Sequence, residues 1–465
     1  VRWAASLTRN AQGPSTSDPR TGEIIESDIV WYHNHMRSYR NRLLIETGAA
    51  NPAARSLDIP EELMGETMRK VITHEVGHAL GLPHNMMASS SYPVDSLRSP
   101  SFVRRYGIAA TIMDYARQNY VAQPGDGLEP VDFVRALGPF DDFVINWGYR
   151  VIPEAATPEA ERPVLHRWLT EQAGPMPYRY LPQSAVGVDP RAQTEDIGDD
   201  PVRASTLAVA NLRRVVPSLV AWTTAPGEDY TELDELFGET LEMWSLYMGH
   251  VVNVVGGLRI DLKTADQAGA VYGVVPKARQ KAAMQFLADQ AFRTPGWLLN
   301  PEILGRIGPP VGANSLSARQ AGILTSLLSP GRLGRMTEAE ALDPAGAYPL
   351  SEFMDDLRRA LWTATPDASL RLLQRVHLER LEALIDPPQP ATPATGPGSG
   401  GSRIPPLQQP PNLRRSDIAA VARNQLRLIQ ASARQAAGTS TGLIRAHYQD
   451  VVARIDRILE GPSGR

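Results

Sequence analysis

An eleven-residue segment from His74 to His84 constrains this sequence more than any other feature. It reads HEVGHALGLPH and fits the pattern H-E-x-x-H-x-x-G-x-x-H at every fixed position. Because residues i and i+4 lie on one face of a helix, His74 and His78 can direct their imidazoles at one ion. Imidazole nitrogen suits zinc, and three protein ligands leave the fourth position of the metal open. The segment therefore predicts one catalytic zinc ion bound by His74, His78 and His84.

Glu75 and Gly81 have separate roles in this motif. Glu75 lies about 100° round the helix from His74, too far to join the ligand pair but able to reach a water molecule in the open position. This favours Glu75 as the catalytic base. Gly81 follows the last helical turn, where glycine adopts the left-handed conformation at little cost and reverses the chain. The reversal would return His84 to the metal.

Composition excludes several classes of protein. The chain has 465 residues, a formal net charge of −4 and no cysteine. Disulfides, thiolate catalysis and cysteine-ligated zinc are therefore excluded. A nucleic-acid partner would need a basic surface stripe, which the acidic balance argues against. No run of about 18 or more apolar residues is present, so no membrane-spanning helix is expected. Oligomeric state is not set by any of these features.

The N-terminal part reads as two strands followed by two helices. Strands are expected at 1–9 and 23–30, separated by a turn-rich segment at 13–22, and a helix runs to about residue 47. Glu61 begins a long helix to Leu80, with acidic residues in its first turn. The expected core-facing side of this helix, opposite the metal, carries Met68, Ile72, Val76 and Ala79.

Beyond Gly81 the sequence is mostly irregular to about residue 130 and then turns helical from about Phe140. Short strands are expected near 176–182 and 257–262. The strongest helical patterns cover 202–224, 230–255, 278–293, 350–363, 366–386, 413–437 and 440–460.

These patterns divide the chain into four parts. Residues 1–130 form the zinc-binding core, and 131–386 form a mainly helical region expected to wall the cleft. The Pro/Gly/Ser-rich composition of 387–412 predicts a linker. Residues 413–465 are amphipathic and predict a C-terminal helical hairpin.

The zinc motif resembles that of the metzincin clan of zinc peptidases. A second clan signature, a methionine turn under the metal, is matched by Thr111-Ile112-Met113-Asp114-Tyr115. By this resemblance Met113 forms an apolar floor under the imidazoles and does not bind the metal. Tyr115 occupies the position of a tyrosine that serves some metzincins as a further ligand or as a donor to the reacting oxyanion. A core tyrosine remains the alternative.

More narrowly, the chain resembles the bacterial Met-zincin family of large zinc-dependent metalloproteases. The segments GPSTSDPRTGEI, HEVGHALGLPHN, TIMDY, DDFVINWGY and EDIGDDP carry this resemblance. It implies an α+β fold, in which a small mixed sheet, an active-site helix and a Met-turn precede a mainly α-helical C-terminal region. The strand at 23–30 would be the edge to which a peptide substrate adds.

The same resemblance implies export to the periplasm or the exterior. The chain begins at Val1 and shows no signal peptide, so we expect sequence upstream of Val1. A metzincin sheet normally includes further strands and a helix before its edge strand. Part of the upper subdomain is therefore expected to be absent or replaced.

Two other groups of residues offer possible metal ligands. His33 and His35, at i and i+2, would point apart on a helix, which argues against a second metal pair. Glu195, Asp196, Asp199 and Asp200 offer oxygen ligands for calcium, but their spacing is not that of an EF-hand. A solvated acidic turn is the favoured interpretation of this cluster.

The sequence thus predicts a zinc-dependent endopeptidase with a peptide or protein substrate. Two alternatives remain open. The same site could hydrolyse a non-peptide amide or ester. The protein could also be a non-catalytic binding module or scaffold that zinc merely stabilises, with the helical C-terminal half as its functional part.

Overall fold

A computed structural model describes residues 1–134, 137–363, 365–387 and 410–460, with the backbone alone at 309–314. Most of the predicted linker at 387–412 lies outside these residues. The strands are β1 (Arg2–Ala4), β2 (Ala11–Gln12), β3 (Ser15–Ser17), β4 (Ile24–Ser27), β5 (Val30–Tyr32), β6 (Leu258–Ile260) and β7 (Tyr272–Val274).

Helices dominate the described residues. In chain order they are α1 (His35–Thr47), α2 (Glu61–Ala79), α3 (Pro100–Tyr106), α4 (Pro139–Tyr149), α5 (Pro158–Glu171), α6 (Pro201–Val215), α7 (Leu219–Thr223), α8 (Thr231–Val252), α9 (Lys277–Leu287), α10 (Pro301–Ile307), α11 (Pro309–Leu327), α12 (Pro330–Leu342), α13 (Leu350–Leu361), α14 (Ala368–Ile385), α15 (Asp417–Thr439) and α16 (Gly442–Glu460). The combination of helices with small sheets is an α+β fold.

The chain divides into two compact units. The first comprises Val1–His250, Ile260–Tyr272 and Asn300–Pro309. The second comprises Val251–Arg259, Gly273–Leu299 and Pro310–Arg465, described as far as Glu460. The boundaries expected at 130, 386 and 412 stay predictions.

The main sheet of the first unit has the order β1-β5-β2. β5 is central, parallel to β1 and antiparallel to β2, with Trp31 opposite both Trp3 and Ala11. Trp31 is only 1% exposed and packs with Ala11, Tyr39 and Val71. This cluster attaches the sheet to α1 and α2 and so fixes β2 beside the zinc-motif helix.

α1 is in contact with α2 and α6. Leu43, Leu44 and Ile45 are completely buried. Its polar side is held by α8, because Arg37 pairs with Glu232 and Glu235 at 2.8 and 2.5 Å. α2 begins after Pro60 with Glu61 and Glu62 in its first turn, where carboxylates offset the helix dipole.

The second unit is helical apart from short segments. α15 packs against α13, α14 and α16. The buried side of α15 repeats at helical spacing through Ile418, Ala422, Leu426, Ile429 and Ala433. None of the helices in the described residues is both long and apolar enough to cross a membrane.

Several expected elements differ from the structure. The strand expected at 1–9 is limited to β1, and the one expected at 23–30 is broken into β4 and β5. β2 ends just before the segment 13–22, which was expected to be a turn, and β3 lies within that segment. The strand expected at 176–182 was wrong, because Met176–Tyr178 forms a 3₁₀ turn. The strand expected near 257–262 is confirmed by β6.

Candidate metal centre

Three imidazoles meet at the C-terminal end of α2. His74 and His78 lie one turn apart on α2, and His84 follows in the loop. The Nε2 atom of His84 is 3.2 Å from Nε2 of His74 and 3.0 Å from Nε2 of His78. Among the described residues, these three form the one cluster of histidine or acidic side chains able to share a metal ion.

The second nitrogen of each imidazole faces an oxygen acceptor. Nδ1 of His74 is 2.6 Å from the carbonyl oxygen of Ile112. Nδ1 of His78 is 2.9 Å from the carbonyl oxygen of Leu82. Nδ1 of His84 is 3.3 Å from Oε1 of Gln183. When each Nδ1–H donates to its oxygen, the proton is placed on Nδ1 and the Nε2 lone pair is left for the metal.

Gly81 provides the turn between the second and third histidines. The helix ends at Ala79, and Gly81 has a φ of +81°, in the left-handed region that favours glycine. The amide of Leu82 then donates to the carbonyl of Gly77 at 3.0 Å, which closes the turn. The reversal carries the chain back so that His84 faces α2.

Burial keeps His74 and His84 in the form that a metal requires. Desolvation lowers the pKa of His74 to about 3. It also lowers the pKa of His84. Metal ligation needs the neutral imidazole, so a lowered pKa favours binding near neutral pH.

This donor set fits zinc. Zinc binds imidazole nitrogen at roughly 2.0–2.1 Å, so tetrahedral ligands are about 3.3 Å apart. The observed Nε2 separations of 3.0 and 3.2 Å require only a small outward shift of the rings. Three neutral nitrogen donors with oriented Nδ1 atoms are also the ligand type that zinc favours.

Glu75 lines the same open cleft as His74 and His78. The residue is 7% exposed, and burial raises the pKa of its carboxyl, while the neighbouring His78 and the backbone N–H of Gly13 lower it. A carboxylate that is poorly solvated and adjacent to the metal position is suited to accept a proton from water.

Met113 lies in the turn that follows the long loop and packs against the helix that carries His74 and His78. It is 1% exposed, and its sulfur packs directly against the Cα of Gly77. The amide of Met113 donates to Oγ1 of Thr111 at 3.0 Å. Its carbonyl accepts from the amide of Asn85 at 3.1 Å. The turn is thus tied to the chain just beyond His84.

One known family covers the zinc motif, the turn at Met113 and much of the helical region. A model of the Met-zincin family matches residues 56–369, about two thirds of the chain. The chain belongs to the Met-zincin family. At the family level this indicates a zinc metallopeptidase. No curated protein and no solved structure matches the sequence.

Tyr115 stands beside the imidazoles of this Met-zincin centre. Its ring centroid is 4.4 Å from that of His84 and 5.6 Å from that of His74. The tyrosine lines the cleft, and no hydrogen bond from its hydroxyl to another described residue is present. Burial raises the pKa of Tyr115, which keeps the phenol protonated and able to donate.

The Met-zincin cleft has a volume of about 600 Å³. Its wall opposite the zinc motif is formed by residues 10–15, which include β2. The expectation that 23–30 is the edge to which a peptide adds stays a prediction. Residues 23–30 do not line this cleft, and β4 within them pairs with β3 in a separate two-stranded sheet, whereas β2 is an edge of the main sheet and lines the cleft.

Two residues outside the motif support the centre and were missed by sequence reasoning. Gln183 accepts from His84, 99 residues away. Asp141 accepts hydrogen bonds from the hydroxyl of Thr111 and, at 3.0 Å, from the amide of Ile112. Asp141 is the first residue of the DDFVINWGY segment. Its carboxylate near the start of a helix was the sequence signal that could have identified it.

The expected core face of α2 was wrong at Val76, which is 39% exposed. Leu63, Thr67, Val71, His74 and Glu75 form the buried face instead. The side of the helix that carries His74 and Glu75 therefore faces inward.

The other candidate metal residues have protein partners. His33 is exposed, whereas His35 is buried against Trp31 and Tyr39. The expected solvated turn was wrong for Glu195 and Asp196. Glu195 pairs with Arg42 and with Arg117, and Asp196 is 3% exposed and accepts from Ser89.

Two further carboxylates of this cluster accept backbone hydrogen bonds. Asp199 accepts from Val94 at 3.1 Å. Asp200 caps α6 by accepting from Val202 at 2.9 Å. The cluster therefore serves the fold of the first unit.

Proposed function

We propose that this Met-zincin protein is a zinc-dependent endopeptidase in which His74, His78 and His84 hold the ion and Glu75 is the general base. The observation that carries the proposal is the convergence of three Nε2 atoms at 3.0 and 3.2 Å on a cleft that Glu75 also lines. When bound, zinc supplies a Lewis acid that polarises a carbonyl and lowers the pKa of water toward about 7.

Glu75 transfers the proton in this reaction. Its carboxylate accepts a proton from the water that attacks the scissile carbonyl carbon, as the C–O bond forms. The proton then passes from the Glu75 carboxyl to the leaving nitrogen as the C–N bond breaks. Burial of Glu75 favours its protonated form between these two steps, because desolvation disfavours the carboxylate.

Tyr115 stabilises the negative charge that develops on the carbonyl oxygen. The phenol lies beside His84 and His74, and its hydroxyl has no other partner among the described residues. A donor that is already in place is effective because it needs no reorganisation during the reaction. Tyr115 therefore acts as an oxyanion donor in this proposal.

The peptide lies in the cleft as an added strand beside β2. Residues 10–15 form the cleft wall, and β2 pairs with β5 on one side only. An edge strand offers free backbone N–H and C=O groups to an extended peptide. Backbone recognition of this kind is compatible with cleavage inside a polypeptide. We also propose an exported location, which rests on family resemblance.

The test combines elemental analysis with hydrolysis of a mixed peptide library. We expect about one zinc per chain and cleavage that falls by about 10²–10⁴-fold in Glu75→Gln, with zinc retained. His78→Ala should lose both zinc and activity. Undiminished cleavage by Glu75→Gln would remove Glu75 from its role, and zinc retained at full stoichiometry by His78→Ala would remove that ligand.

Substrate classes are separated in the same experiment. A zinc-loaded protein that hydrolyses aryl esters or small amides but no peptide would be a non-peptide hydrolase. A protein that binds no zinc would contradict the proposal altogether.

A further inference from the structure

Lys70 joins the zinc-motif helix to the chain that follows Tyr115. It lies on α2 one turn before His74, and residues four apart share a helix face. The Nζ atom of Lys70 donates to the carbonyl of Arg117 at 2.5 Å and also to the carbonyl of Ala116. The helix that carries two of the histidines is therefore bonded directly to the backbone beside Tyr115.

The ammonium of Lys70 has no carboxylate as a direct partner among the described residues, and both of its hydrogen bonds go to backbone oxygens. Loss of solvation, together with the positive charge of Arg117, lowers the pKa of Lys70 to about 7, although the charges of Glu46 and Asp114 raise it. A cation withdrawn from water without a paired counterion costs free energy, and an apolar side chain would fill this position without that cost. Strongly perturbed groups of this kind are common at functional sites.

Lys70, Glu75 and Tyr115 line one small cavity of about 50 Å³. Asn10 and His74 also line it, and these two residues, with Glu75 and Tyr115, line the open cleft as well. The cavity and the cleft are therefore neighbours that share part of their walls. Lys70 lines the cavity but not the cleft, so a substrate in the cleft is not expected to touch it.

Tyr115 depends on its backbone for its position, because its hydroxyl has no partner among the described residues. On one side, the amide of Tyr115 donates to Oδ1 of Asp114 at 2.6 Å. On the other side, the carbonyls bound to Lys70 belong to the next two residues. The side chain of Arg117 is in turn paired with Glu195 at 2.7 Å. The backbone is thus held on both sides of the phenol, and Lys70 ties its far side to α2.

We propose that Lys70 is a positioning residue, which sets the place of the Tyr115 hydroxyl at the developing oxyanion through the carbonyls of Ala116 and Arg117. The inference rests on the proposed endopeptidase function and adds a residue that neither binds the metal nor touches the substrate. A misplacement of about 1 Å can cost about 10²-fold in rate, so the placement of a donor matters as well as its presence. Lys70 therefore acts on kcat and not on substrate binding.

Lys70→Met removes the donors and keeps most of the stem. We expect it to lower kcat by about 10–100-fold, while KM and zinc content stay within about twofold of the native values. Lys70→Arg keeps N–H donors, and the adjoining cavity leaves room for the larger guanidinium, so kcat should stay within about threefold of the native value. Lys277→Met is the matched control, because Lys277 pairs with Glu352 in the second unit and lines neither the cavity nor the cleft. It should behave as the native chain does.

A double-mutant cycle with Tyr115→Phe tests whether Lys70 acts through the phenol. If it does, Lys70→Met should change kcat by less than about threefold in the Tyr115→Phe chain, because the donor that Lys70 positions is already absent. A residue that only stabilises the fold would lower kcat by the same factor in both backgrounds, and that result would overturn the inference. A native kcat in Lys70→Met would overturn it as well. If Lys70→Met fails to fold, Lys70→Gln, whose amide is one bond too short to reach both carbonyls, replaces it in the cycle.

Failure of this inference is distinguishable from failure of the proposed function. Cleavage that Glu75→Gln abolishes, together with equal factors in the two backgrounds, would leave the endopeptidase intact and remove Lys70 from its role. If the native chain cleaves nothing, the endopeptidase fails, and amide hydrogen exchange of the segment 115–119 tests the contact itself. Exchange in zinc-loaded Lys70→Met should be at least about tenfold faster than in the native chain and in Lys277→Met. Equal rates in all three would overturn the contact too.

Discussion

Met113 packs so closely against Gly77 that a methyl group on residue 77 would overlap its sulfur. The contact joins the helix that carries His74 and His78 to the turn under the metal position. The carbonyl of Met113 also accepts a hydrogen bond from the amide of Asn85. A shift of Met113 would therefore move both α2 and the chain just beyond His84. The absence of a side chain at residue 77 is therefore a condition for the three histidines to converge.

Gly77→Ala should destabilise the protein, whereas Gly65→Ala should not. Alanine normally stabilises a helix by about 0.5–1 kcal/mol relative to glycine, and a Cβ at Gly65 meets nothing within 4 Å. At Gly77 overpacking should outweigh that gain and cost about 1–3 kcal/mol. Urea unfolding measures both variants. Equal stabilisation by the two substitutions would show that Met113 can move freely.

Gln183 should contribute to zinc affinity although it does not touch the ion. Gln183→Leu removes the acceptor of the His84 Nδ1–H, and loss of such an oriented partner typically lowers metal affinity by about 10–100-fold. Competition with a chromophoric chelator measures the effect. Gln183→Glu keeps an acceptor and should retain affinity, and Gln435→Leu, on the exposed side of α15, is the control. If Gln183→Leu bound zinc as tightly as the native chain, Gln183 would not contribute to zinc affinity.

The motif was readable from the sequence because its geometry is local. Residues four apart must share a helix face, and glycine after the last turn permits the reversal to His84. Gln183 and Asp141 carry no comparable signal, since they reach the centre from 99 and 29 residues away. A long-range contact depends on how the chain folds back, which local spacing does not specify.

The face of α2 was misread for a physical reason. Amphipathic periodicity assigns apolar residues to the core and polar residues to solvent. In α2 the metal centre reverses this rule, because His74 and Glu75 are buried while Val76 is exposed. The strands were also poorly predicted, because elements of two to four residues are too short to show alternation.

Tyr115→Phe should reduce turnover without releasing zinc. Removing one donor to an oxyanion typically costs about 10²-fold in kcat. KM and zinc content should change little, because the ring can still pack against His84 and His74. Steady-state kinetics on one cleaved peptide provides the measurement, and Tyr230→Phe, at a residue 43% exposed, is the control. An unchanged kcat would mean that Tyr115 only packs against the histidines and donates no hydrogen bond to the oxyanion.

The metal-free protein should lose stability as the pH falls below about 6.5. Burial lowers the pKa of His250 to about 4 and that of His377 to about 3. Above 6.5 these histidines are neutral whether the chain is folded or not. As the pH falls, the unfolded chain binds protons that the folded chain excludes, so the free energy of unfolding decreases until about pH 3–4. Each pKa unit corresponds to at most about 1.4 kcal/mol.

His377→Gln should make this decrease shallower. Nδ1 of His377 accepts from the indole N–H of Trp362 at 3.0 Å, and the glutamine carbonyl can accept in its place without binding a proton. Urea unfolding at pH 7, 6, 5 and 4 gives the slope for each chain. His33→Gln, at an exposed histidine, should leave the slope as it is in the native protein. Identical slopes for His377→Gln and the native chain would mean that His377 takes up its proton while folded.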